Sequence, residues 1–64
     1  MEKLARRIKT VREARGLSQQ ALADKAGVSR GYLARLEGGH HDPTVGTVAK
    51  LARALGVKLI DLLS

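Results

Sequence analysis

The sequence predicts an all-α domain, a compact bundle of five short helices. Three observations carry that expectation. Glycines at 16, 27, 38–39 and 56, together with Pro43, cut the 64 residues into five stretches. Within each stretch apolar residues recur every three or four positions, and none alternates convincingly with period two. Ser18, Ser29 and Thr44 stand just ahead of three of them, where a hydroxyl can satisfy an orphan N–H of a first helical turn.

The first stretch runs from about Glu2 to Arg15. Leu4, Ile8 and Val11 give it one apolar stripe, and Gly16 follows a basic last turn. The second runs from about Gln19 to Ala26, with Ala21, Leu22 and Ala26 as the expected buried side. Gly27 then supplies the left-handed backbone that a tight turn often needs. The third runs from about Arg30 to Glu37. Tyr32, Leu33 and Leu36 share one side of it, and Arg30, Gly31, Ala34 and Arg35 share the other. The fourth runs from about Val45 to Leu55, with Val45, Val48, Leu51, Ala52 and Leu55 as its stripe. The fifth, about Lys58 to Leu63, is short and strongly apolar.

Composition narrows the chemistry. Sixty-four residues make one domain, and a chain this short buries only roughly 60% of its unfolded surface. There is no cysteine, hence no disulfide, no zinc–thiolate site and no thiol nucleophile. Phe and Trp are absent and Tyr32 is the only aromatic, so the core must be built from Leu, Ile, Val and Ala. Twelve Lys and Arg against six acidic residues leave a net charge of +6, which suggests a polyanionic partner. Six of those cations fall in residues 1–15. That basic, amphipathic start has features of a transit peptide or membrane-surface helix, but Glu2 and Glu13 interrupt it. No stretch approaches the roughly 20 apolar residues of a membrane span, so no membrane association is expected and the cytoplasm is the expected compartment.

Residues 16–38, GLSQQALADKAGVSRGYLARLEG, read as two short helices joined at Gly27. In a small basic protein this arrangement is the usual way to present a helix to the DNA major groove. Arg30, in the first turn of the second of these helices, is a candidate for a bidentate contact with guanine, with a phosphate contact as the alternative. Arg35, further along the same side, has the same two readings. Ser29 is expected mainly to cap, with a DNA contact as a second role, and Ser18 likewise. Ala34 could rest its methyl on a thymine methyl. Tyr32 is expected to pack inward, with its hydroxyl at the edge and within reach of a phosphate.

His40, His41 and Asp42 form a poor metal-ligand set, with no second cluster elsewhere, and no cofactor is expected. The loop is read instead as lying against the DNA backbone, with His40, Thr44 and the start of the fourth helix near phosphate, although Asp42 would repel it. In the last stretch Leu59, Leu62 and Leu63 are expected to complete the core. Four aliphatics there exceed what one small bundle can cover. Ile60 foremost, with Leu59 and Leu63, is therefore the expected two-fold dimer contact.

IKTVREARGLSQQALA, AGVS, YLARLEGG and PTVGTVAKLARALGV, in that order and spacing, make nearly the whole chain resemble the lambda-repressor-like helix-turn-helix domains of the Cro/repressor (XRE) type. The resemblance implies a single DNA-binding domain over 1–64. It further implies a motif at about 18–37, Arg30 to Glu37 as the recognition helix, and action as a homodimer on a palindromic operator. It implies a partly buried ion pair between Arg12 and Glu37. It also places Gln19 where a side chain and backbone N–H groups hold phosphate, which fits the electropositive start of a helix. An ordinary exposed glutamine is the alternative there. Gly31 departs from the pattern, since its position often carries a base-reading side chain. Gly31 is read as letting the backbone approach DNA closely. A transcriptional repressor of double-stranded DNA is the leading expectation. An antitoxin, or a module that binds an unidentified protein partner, is the alternative. No nucleophile–base pair or phosphate-cradling loop supports an enzyme.

Overall fold

A computed structural model describes residues 2–63 of the chain. The described residues form five helices and no strand: α1 (Glu2–Ala14), α2 (Gln19–Ala26), α3 (Arg30–Glu37), α4 (Val45–Leu55) and α5 (Leu59–Leu63). α2 packs against both α3 and α4, α1 lies against α3, α4 and α5, and α4 packs on α5.

The starts of the helices follow from local hydrogen bonding. Ser18 Oγ accepts from the Ala21 N–H and Ser29 Oγ from the Tyr32 N–H, both at 3.0 Å, while Thr44 Oγ1 accepts from the Thr47 N–H at 3.1 Å. Each bond satisfies a first-turn donor that has no carbonyl partner within its helix. α5 begins one residue later than the sequence suggests. Lys58 stands outside it, where its N–H donates to Asp61 Oδ2 and its carbonyl accepts from the Asp61 N–H, both at 3.0 Å. Replacing Ser29 with Ala is expected to lower stability by about 0.5–2 kcal/mol, measured by urea denaturation.

One device ends three of the helices. At the end of α2, Gly27 adopts φ +73°, which a side chain rarely tolerates, and the chain reverses. The Val28 N–H then returns to the Ala23 carbonyl at 3.0 Å, and the Val28 side chain packs against the core. Leu17 after α1 and Val57 after α4 repeat this, bonding to the Arg12 and Ala52 carbonyls at 3.1 and 3.0 Å. A glycine followed by an apolar residue thus ends the helix and plugs the edge of the core together.

The core is aliphatic. Ile8, Leu22, Leu33, Leu36, Leu51 and Leu62 are its largest fully buried members. Three expectations are corrected. In α2 it is Ala23 that is wholly buried, while Ala21 is half-buried. Because α2 is sandwiched between α3 and α4, its buried arc is centred between Leu22 and Ala26, and Ala23 falls inside it. Val45 is 71% exposed, not part of the buried stripe; it is the first residue of α4, and burial along that stripe begins only at Val48. Leu63 is 51% exposed, so Leu62 alone of the α5 leucines is fully buried and Leu59 only packs at the margin.

Candidate nucleic-acid interface

α3 is eight residues long and divided lengthwise. Leu33 and Leu36 are buried, and Tyr32 packs half-buried against the core. Arg30, Gly31 and Arg35 are exposed, and Ala34 is half-buried between them. Among the described residues neither Arg30 nor Arg35 makes an ion pair or a side-chain hydrogen bond. Their guanidinium forks therefore remain available to acceptors outside the protein.

Besides these apolar anchors, a charged contact braces the helix from behind. Arg12 on α1 meets Glu37 at the end of α3 through two parallel bonds, Nε to Oε2 at 2.8 Å and Nη2 to Oε1 at 3.0 Å. Arg12 Nη1 also donates to the Leu17 carbonyl at 2.7 Å. Only 10% of the Arg12 side chain and 3% of the Glu37 side chain reach solvent. The hydrogen bonds that Arg12 donates to Glu37 push its guanidinium above its ordinary pKa, while burial acts in the opposite direction. Every buried polar side-chain atom among the described residues has a partner, so the contact leaves none of its buried groups unmatched.

Gln19 joins the same cluster. Its Nε2 donates to Glu37 Oε1 at 3.1 Å, so one carboxylate ties together α1, the start of α2 and the end of α3. Gln19 is thus half-buried and its amide nitrogen is engaged within the protein. Its backbone N–H stays in the open first turn of α2. No local signal marks this contact, because Gln19 and Glu37 lie 18 residues apart.

The loop after α3 leans on that helix. The His41 ring meets Tyr32 edge-on, with ring centroids 4.7 Å apart and planes at 82°. His40 is exposed. Thr44 donates its hydroxyl to Thr47 Oγ1 at 3.1 Å while accepting the cap bond, so that side chain is engaged within α4. Ser18 and Ser29 accept cap bonds and keep an O–H to donate outward. Val45, next to Thr44, is an exposed apolar residue that sequence reasoning missed, because its spacing to Val48 mimics a core position. No group of three or more potential metal ligands is found among the described residues. No helix among them is long and apolar enough to cross a membrane.

On α5 the exposed apolar residues are Ile60, at 65%, and Leu63, with half-buried Leu59 beside them. Much of the positive charge lies away from α3. Lys3, Arg6, Arg7 and Lys9 are exposed on α1, where Arg7 Nε also donates to the Asp61 carbonyl of α5 at 2.9 Å.

A family model described as helix-turn-helix matches residues 8–62. The chain is 41% identical over 56 residues to the immunity repressor protein of Bacillus phage phi105, covering 88% of this chain but 39% of that protein. It is also 41% identical over 54 residues to the uncharacterized HTH-type transcriptional regulator y4dJ of Sinorhizobium fredii, covering 84% of this chain and 70% of the relative. Among solved structures, the restriction-modification controller protein C.AhdI from Aeromonas hydrophila superposes with a TM-score of 0.93 at 34% identity, covering 95% of this chain and 92% of that one. The biofilm master regulator SinR of Bacillus subtilis, in a complex with DNA, superposes with a TM-score of 0.90 at 34% identity, covering 95% of this chain and 98% of that one.

Proposed function

The chain belongs to the HTH_3 helix-turn-helix family, and from that premise we propose that it is a cytoplasmic repressor that binds palindromic double-stranded DNA as a homodimer. It is a DNA-binding transcriptional regulator by family, not an enzyme. The observation that carries the finer reading is the state of α3. Two guanidiniums that pair with no side chain among the described residues stand on its exposed side, and a bidentate buried ion pair braces the helix from behind. A rigid helix loses little entropy when it enters a groove.

In this reading residues 1–64 form one domain, with the motif at 18–37. Arg30 and Arg35 read base edges, with Ala34 and Ser29 beside them. The first turns of α2 and α4, at Ser18, Gln19 and Thr44, meet phosphate through backbone N–H groups, with Tyr32 and His40 at the flank. Leu59, Ile60 and Leu63 pair across a two-fold axis. The two copies of α3 then sit about 34 Å apart, one turn of the duplex.

Selection of bound sequences from a random duplex library tests this. The expected product is an inverted repeat of two half-sites, bound with an affinity that falls steeply and linearly on a log–log plot against salt. Arg30→Ala is expected to remove about 1–3 kcal/mol of discrimination at one base pair. Gln19→Ala keeps the backbone N–H that meets phosphate and loses only the amide bond to Glu37, so it is expected to leave base preference unchanged. Selection of a single unrepeated site would refute the dimer, and an Arg30→Ala variant with the parent's base preference would refute the site assignment.

A further inference from the structure

Gly31 sits in the first turn of α3 with no backbone reason to be glycine. The positive-φ glycines of the described chain are Gly16, Gly27, Gly39 and Gly56, and Gly31 is not among them. Inside a helix almost any other residue is more favourable than glycine. Nor does packing exclude a side chain. A Cβ built at Gly31 would meet one nearby group, Arg35 Nη1 at 3.7 Å, an ordinary contact distance. No core atom and no other helix approaches it within 4 Å.

The geometry follows from how helical side chains point. A long side chain leans toward the helix N-terminus, so a residue at i+4 covers the turn at i. Arg35 accordingly lays its guanidinium over Gly31, one turn closer to the end of α3 that carries Arg30. A side chain longer than a methyl at 31 would occupy the same volume and push the guanidinium away.

We propose that Gly31 is a specificity-determining residue by its bareness: it lets Arg35 read the base pair that a side chain at position 31 would otherwise read, and it sets that pair to guanine. This rests on the DNA-binding reading above. It replaces close backbone approach as the role of Gly31. The α3 surface then offers two guanidinium forks near its leading end, each matched to guanine O6 and N7, and a half-site with two guanines follows.

The experiment measures binding of purified variants to duplexes that vary one base pair at a time across the selected half-site. The parent is expected to prefer guanine at the pair assigned to Arg35. Arg35→Ala should lose about tenfold or more of that preference. Arg35→Lys should lose it too, because an ammonium lacks the planar fork. Gly31→Gln should move the preference at that same pair from guanine to adenine. In the Gly31→Gln background, adding Arg35→Ala should change base preference at that pair no further. Gly31→Ala should raise the thermal midpoint, which shows that glycine is not there for folding. The inference is overturned if Arg35→Ala weakens every duplex equally, as loss of a phosphate contact would, or if Gly31→Gln keeps the parent's guanine preference. In both of those outcomes the parent still selects a sequence and the proposed function survives. A parent that binds no duplex overturns both.

Discussion

Glu37→Ala is expected to destabilise the protein by about 3–5 kcal/mol, because it strands a buried charge. The carboxylate accepts from Arg12 Nε and Nη2 and from Gln19 Nε2. Without it the Arg12 guanidinium, in a residue only 8% exposed, keeps the Leu17 carbonyl as its sole hydrogen-bond partner among the described residues. A domain of 64 residues has a total stability of roughly 3–10 kcal/mol. The loss is therefore a large share of the whole, and urea denaturation followed by circular dichroism should show the variant partly unfolded at room temperature. Replacing both partners with Arg12→Met and Glu37→Leu should recover most of the loss, since no charge is then left buried. A Glu37→Ala loss below about 1 kcal/mol would place the pair among weak surface contacts. The pair is also expected to be insensitive to moderate alkali. Arg12 has its pKa raised in the folded state, so its contribution is complete below the ordinary arginine value and fades only as pH rises through the still higher folded value.

Leu33→Ala is expected to remove about 2–5 kcal/mol through a core cavity. Leu33 is wholly buried, and with Leu36 it is one of two fully buried anchors of α3. An eight-residue helix is not stable alone in water, so α3 persists because these anchors hold it against α1 and α2. Loss of one should loosen the surface that presents Arg30 and Arg35, besides lowering global stability. Arg35→Ala, two residues on but exposed, should change stability by less than about 0.5 kcal/mol. A thermal melt of the two variants side by side separates these outcomes. Equal melting temperatures would mean that the core does not support α3 in the way its burial implies.

The sequence by itself determined where the helices run and which side of α3 faces out. Those features depend on neighbours a few residues apart: a hydroxyl reaching an N–H three positions on, a glycine reversing the chain, apolar residues repeating every turn. Arg12 and Glu37 were legible together only through resemblance to related domains, because 25 residues separate them. Tertiary structure alone decided that Ala23 is wholly buried and Ala21 only half-buried, that Val45 and Leu63 are exposed, that Gln19 turns its amide to Glu37, and that His41 rests on Tyr32. Periodicity says which residues share a helix face. How wide a part of that face is covered, and which distant polar group waits opposite, is set by the helices packed around it.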